Sequence, residues 1–158
     1  MSSPASPAII GLREWIALPE LGVVALRAKI DTGASTSTLH ATDIMPYERD
    51  GQLWVYFNLH LGNAGGNRQL REAPVVAMRT IRSSTGHTEN RYVIRTRLAL
   101  GEQCWPVEFT LTCRKNMRYR VLLGARALVQ GRLLVDPASS YLQQYPRLPS
   151  PITLAGAR

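Results

Sequence analysis

Short β-type segments, broken by glycine, proline and polar turns, run through almost the whole chain and leave room for one clear helix. Val23–Ile30 begins apolar and then alternates, with Leu26, Ala28 and Ile30 set against Arg27 and Lys29. That pattern predicts a strand with one buried face. Residues 54–61 are rich in aromatic and branched side chains and end at the turn signal Gly62-Asn63, which opens a loose Gly/Asn loop reaching Asn67. Further strands are expected over residues 73–81, 91–100, 106–111, 120–123 and 133–136, with Pro74 suiting an edge or a strand start. Small polar residues around Gly86 predict a hairpin turn with a mobile tip between residues 81 and 91. Residues 124–131 read as a short helix stopped by Gly131, and residues 38–45 as another turn or two of helix. The expected class is all-β, as a small barrel or sandwich.

A chain of 158 residues is one domain by length, and 45% apolar residues suit a globular protein with an ordinary core. No run of eighteen apolar residues predicts a membrane span. Residues 1–8 hold only Ser, Pro, Ala and the opening Met, without the basic start and apolar stretch of a secretory signal, so a cytoplasmic location is expected. These residues read as a disordered segment, residues 9–145 as the domain, and residues 146–158, with three prolines, as a flexible tail. Cys104 and Cys113 flank a strand. A pairing is open to them, but two reduced thiols are the better expectation in a reducing compartment. Trp15, Trp54 and Trp105 suit the core or a subunit interface.

Lys plus Arg is 19 against 11 acids, a formal charge of +8. Such an excess attracts polyanions, whether acidic polypeptide, anionic lipid or nucleic acid. The arginines are scattered, with no dense basic run and no interleaved aromatic stripe, which leaves a nucleic-acid-binding barrel as the least favoured reading.

The strand at Val23–Ile30 runs directly into Asp31-Thr32-Gly33-Ala34-Ser35. A carboxylate that activates water needs a fixed position and controlled protonation. A buried strand supplies the position, and Gly33 lets the backbone turn so that its N–H groups approach the carboxylate. The triplet alone is more often an ordinary turn. Its context is stronger: Val121-Leu122-Leu123-Gly124 forms a second apolar run that ends in glycine and a short helix, suited to pass beneath the aspartate loop. The hairpin around residues 83–88 lies between them in sequence and suits a lid.

In order and spacing these segments resemble the retropepsins, and more closely the bacterial retropepsin-like family often labelled "ATP-dependent zinc protease". The resemblance rests on Ala28 through Ala34 with Thr36, Ser37, Leu39 and His40, on Ser83, Ser84, Gly86 and Arg91, on residues 107–112, and on residues 114–137. It implies a closed or nearly closed acid-protease barrel with a flap hairpin and one short C-terminal helix. It also implies hydrolysis of peptide bonds, and an association with a ligase that adds glutamates to a small-subunit ribosomal protein. Asp31 takes the catalytic role, Thr32, Gly33, Leu123 and Gly124 support it, and Ala34, Ser35, Ser83, Ser84, Thr85, Gly86, His87 and Arg91 line the groove and flap. Ser35 and Ala125 depart from the family, where relatives tend to carry arginine, and viral retropepsins hold an acid and an arginine that pair there. These departures bear on subsite specificity.

An aspartic peptidase places two carboxylates about 3 Å apart around one water, sharing a proton. Asp43, Asp50 and Asp136 lack the Thr-Gly, and no internal repeat is visible. A second copy of the chain must therefore supply the partner carboxylate, on a two-fold axis. His40, His60 and His87 are widely spaced and no His-Glu-x-x-His or phosphate loop occurs, so no metal or other cofactor is expected. The expected substrate is an acidic or glutamate-tailed protein. A catalytically idle barrel that holds acidic peptides in the same groove is the main alternative.

Overall fold

The computed structural model describes residues 6–61, 67–82, 85–113 and 118–146. Two short strands lie outside the main sheet, β1 (Ala8–Ile10) and β11 (Leu133–Val135), paired in parallel with Ile9 opposite Leu134. The main sheet takes up β2 (Arg13–Leu18), β3 (Val23–Ile30), β4 (Ser37–His40), β5 (Thr42–Arg49) and β6 (Gln52–His60). It continues through β7 (Arg68–Arg82), β8 (Thr88–Leu100), β9 (Gln103–Thr112) and β10 (Val121–Leu123), and the helix α1 (Ala125–Gln130) follows.

Six of these strands close a barrel in the order β2-β3-β10-β4-β9-β8, completed where Ala17 of β2 pairs with Ala99 of β8. Outside the ring, β7, β6 and β5 continue the sheet from β8 as antiparallel neighbours. The all-β barrel with one short helix expected from sequence is the fold found. Core residues alternate as the pleat requires: Leu26, Ala28 and Ile30 of β3, Val55, Phe57 and Leu59 of β6, and Val107, Phe109 and Leu111 of β9 are buried.

Strand β7 explains Pro74. From Arg68 to Pro74 it pairs with β6, and from Val75 onward with β8, across a register shift between Val75 and Ala77. The proline, which has no N–H to donate, stands at the handover between partners rather than at a strand start. The expected β7–β8 hairpin is present through the pair Arg82–Thr88, and Gly86 near its end has φ +87°, a left-handed conformation that suits glycine. Ser83 and Ser84 lie outside the described residues.

Residues 38–45 are not helical. They form the end of β4 and the start of β5, with buried Ala41 at the corner. Ser37, Thr38, Leu39 and His40 are all buried, because β4 is enclosed on both faces. A doubly enclosed strand loses the two-residue alternation that marks a strand in sequence. Cys104 and Cys113 are unpaired and exposed. Trp105 packs in the core. Trp54 sits under the Arg49 guanidinium at 4.1 Å, and Trp15 meets the rings of Tyr141 and Tyr145.

Buried Glu14 ties the segment after β11 to the barrel. Its carboxylate accepts from the N–H groups of Gly11 (2.7 Å), Leu142 (2.9 Å) and Gln143 (3.1 Å). Glu14→Ala removes all three acceptors and is expected to destabilise the fold by about 3 kcal/mol, with Glu14→Gln costing less. Urea denaturation of the two variants beside the native chain measures the difference.

Candidate active site

The aspartate loop starts where β3 ends. The Asp31 N–H donates to the Leu123 carbonyl at 2.9 Å, which ties the first residue of the loop to the last of β10. Strand β10 lies between the two strands that bracket the loop. It runs parallel to β3 (Leu123 opposite Ile30) and antiparallel to β4 (Val121 opposite Leu39). The Gly33 N–H donates to Asp31 Oδ1 at 3.0 Å, and the Ala34 N–H to the Asp31 carbonyl at 3.3 Å. One carboxylate oxygen is thus held by the backbone of its own turn. Asp31 is half-buried, and Thr32 and Gly33 face solvent.

Beyond β10, the N–H groups of Ala125 and Arg126 donate to the carbonyls of Ala34 (2.6 Å) and Ser35 (3.2 Å). The segments that carry Ser35 and Ala125 are thus joined through main-chain bonds. The Gly124 N–H donates to the buried Ser37 hydroxyl at 3.0 Å. A Cβ at Gly124 would stand 2.4 Å from the Thr36 carbonyl oxygen and 2.8 Å from that of Ala34. Asp31, Thr32, Gly33, Ala34, Ser35, Leu123 and Gly124 therefore form one unit.

Of the other residues singled out in the sequence, those described stand on the β7–β8 hairpin and on β8. Thr85, Gly86 and His87 are exposed at the end of the β7–β8 hairpin. Arg91 is engaged on its own strand, its Nε donating to Glu89 at 3.1 Å.

Two features were not legible in the sequence. The first is a cavity of ≈ 300 Å³ bordered by Thr36 and Ser37, into which Arg79 of β7, Arg95 of β8, Glu108 of β9 and Arg126 of α1 are gathered. Glu108 bridges Arg79 (3.0 Å) and Arg95 (2.7 Å). The Arg95 hydrogen bond, aided by the charges of Arg95, Arg79 and Arg126, lowers the Glu108 carboxyl against the opposing effect of burial.

The second is a histidine pair. The rings of His40 and His60, widely spaced in sequence, lie 5.2 Å apart, and His60 Nε2 contacts the Thr42 hydroxyl at 2.7 Å. Burial, reinforced by the charges of His60 and Arg120, pushes His40 below its ordinary value, against a raising hydrogen bond with the Thr112 backbone. Zinc, named in the family label, does not fit these residues: among those described, no three His, Cys, Asp or Glu side chains come together. No helix among the described residues is long and apolar enough to cross a membrane.

Residues 9–146 match the model of the RimB-like family, retropepsin-like aspartic endopeptidase RimB. The chain belongs to this family. Membership places it among retropepsin-like aspartic endopeptidases, a family of peptide-bond hydrolases. It is 50% identical over 134 residues to a probable alpha-L-glutamate ligase of Parasynechococcus marenigrum, covering 84% of this chain and 28% of the ligase. A probable alpha-L-glutamate ligase of Shewanella pealeana is 48% identical over 134 residues, again 84% of this chain and 29% of the relative. The chain thus spans less than a third of these relatives. The crystal structure of Lpg0085, a Legionella pneumophila protein of unknown function, superposes with a TM-score of 0.75 at 28% identity, over 88% of this chain and all of that one.

Gly124→Ala is expected to cost about 3 kcal/mol by forcing β10 and the 34–36 backbone apart, because the Gly124 φ of −91° suits any residue and the clash alone opposes a Cβ. Chemical denaturation reads the loss. The histidine pair gives a pH dependence. With its pKa lowered in the folded state, His40 binds fewer protons folded than unfolded, so its contribution to stability is complete above 6.5 and is lost as pH falls through the lowered value. The drop in melting temperature from pH 7.5 to pH 5 should be smaller in His40→Gln than in the native chain.

Proposed function

We propose that the chain is a homodimeric aspartic endopeptidase in which each subunit contributes Asp31. The carrying observation is one aspartate loop per chain, clamped from within by β10 and α1 and presenting Thr32 and Gly33 to solvent. Two such loops meeting on a two-fold axis bring their carboxylates around one water, and the Thr32 hydroxyls can bond across the axis. One carboxylate takes a proton from the water as its oxygen attacks the scissile carbonyl, and the protonated partner donates to the carbonyl oxygen. Collapse of the tetrahedral intermediate breaks the C–N bond, and the leaving amine takes a proton from the dyad. Thr85, Gly86 and His87 act as the flap that covers the peptide, and Ala34 and Ser35 line the groove, with Ser83, Ser84 and Arg91 assigned there by resemblance.

The dimer needs a surface besides the loops. Ile9 and Leu134, opposite one another in the β1–β11 sheet, are 54% and 56% exposed, an apolar cross-strand pair without cover in the single chain. Ile9, Leu134 and exposed Thr32 together mark the contact surface.

The proposed substrate is an acidic, glutamate-tailed protein. The +8 charge supports this, as do the relatives in which a matching segment belongs to a probable alpha-L-glutamate ligase. A peptidase that removes glutamates is the chemical counterpart of a ligase that adds them, which ties the chain to modification of a ribosomal protein.

Mass spectrometry of purified chain incubated with oligoglutamate-tailed and neutral peptides tests the activity. The native chain should cut the acidic peptides, and Asp31→Asn should lower turnover by at least about 10³-fold with the fold intact. Native protein that binds acidic peptides but never cuts them would instead favour the idle-binder reading. Leu134→Glu should shift sedimentation toward the monomer and reduce activity in parallel. Full activity from a strictly monomeric species contradicts the proposal.

A further inference from the structure

We propose that the cavity beside the aspartate loop is a subsite for a substrate carboxylate, with Arg126 as its principal donor and Glu108 as the counter-charge that tunes it. This deepens the reading above and rests on the chain being a peptide-binding barrel.

The cavity stands next to the aspartate loop. Thr36 and Ser37 follow directly from the aspartate loop, and the Arg126 backbone is bonded to Ser35 of that loop. Arg79 lies on β7, the strand that leads into the flap hairpin. A peptide held between loop and hairpin therefore has this cavity at its flank. The volume of ≈ 300 Å³ sits at the small end of ligand pockets, suited to a side chain rather than a larger body.

The charge balance in the cavity is unequal. Three guanidinium groups face one carboxylate. Glu108 is committed, one oxygen to Arg79 and the other to Arg95. The Arg126 side chain is exposed and has no ion-pair partner among the described residues. It reads as the vacant half of a charge-assisted pair, and a guanidinium offers a carboxylate two parallel N–H donors. Arg79 and Arg95 add positive potential while Glu108 holds them.

Glu108 also narrows the choice of anion. Its fixed negative charge at the cavity wall penalises a doubly charged group entering the cavity more than a single carboxylate. Among the described residues no aromatic side chain lines the cavity, so a nucleic-acid base finds no ring there to stack on. The observations favour the side chain of a glutamate or aspartate in a peptide.

The test reads equilibrium binding in the full-length Asp31→Asn protein, so that cleavage does not enter. Two labelled peptides of equal length, oligoglutamate and oligoglutamine, are compared by fluorescence anisotropy. The glutamate peptide should bind at least about tenfold more tightly. Arg126→Gln should reduce that gap to about twofold, and Glu108→Gln should widen it, while neither shifts the glutamine peptide by more than about twofold. Opposite responses to opposite charges in one cavity are not produced by general loss of structure, and Arg126→Lys, which keeps the charge, should retain an intermediate gap. A gap that survives Arg126→Gln, a gap narrowed by Glu108→Gln, or no measurable binding of the glutamate peptide overturns the proposal. Displacement of the peptide by an oligonucleotide as readily as by oligoglutamate overturns it too, by making the cavity a general polyanion site. Absence of cleavage by the native chain would sink the peptidase reading alone, since the binding gap is measured without it.

Discussion

Everything about the site depends on a strand of three residues inserted between two others. Val121–Leu123 enters the gap between β3, which delivers Asp31, and β4, which carries the chain away from it. Without that insertion the turn at residues 31–36 would be a free loop joining two strands that do not pair with each other. With it, the Asp31 N–H is fixed on Leu123, and the carbonyls of Ala34 and Ser35 are fixed on the first turn of α1. Gly124 is required because backbone passes over backbone there: the Thr36 carbonyl fills the space where a side chain would begin. A carboxylate that meets another across an axis, as proposed, needs positional accuracy, and small displacements of reacting groups are expensive in rate. This small clamp supplies it.

Clamping also explains how the chain tolerates Ser35 and Ala125. Main-chain bonds join these segments without any contribution from the two side chains. The arginine stands one residue further on, at Arg126, turned toward the cavity instead of the loop. Arg126 places a positive charge at a surface where a ligand can reach it. The scaffold and the electrostatics of the groove are thereby separated, and specificity can vary without loosening the aspartate.

Much of the fold was readable because its strands obey simple rules. Val23–Ile30 alternates over its second half and has the bounds expected, and the short helix expected over residues 124–131 spans Ala125–Gln130 with a glycine at each end. Asp31-Thr32-Gly33 and Leu123-Gly124 were joined in sequence by an ordered pattern, and the structure brings them into hydrogen-bond contact. The failures have physical causes. Ser37–His40 is enclosed on both faces, so it shows no alternation and reads as helix. The handover of β7 from β6 to β8 has no local signature beyond Pro74. Arg79, Arg95, Glu108 and Arg126 come from four elements, and only the barrel's register makes them neighbours. His40 and His60 meet for the same reason. Sequence spacing measures distance along the chain, and a barrel brings remote segments together.

Charge links these observations. Two copies each carrying +8 repel one another, so the proposed dimer must draw on contacts strong enough to outweigh that repulsion. The exposed apolar pair Ile9 and Leu134 is one source. An acidic peptide lying across the proposed axis would be another, because two-fold symmetry would set one arginine cavity on each side of the dyad, within reach of a single acidic chain. Anything that binds the dimer more tightly than the monomer stabilises the dimer by mass action. The same substrate that is cut would then assemble the enzyme that cuts it, and a neutral peptide, unable to offset the repulsion, would meet mostly single chains carrying half of a catalytic site.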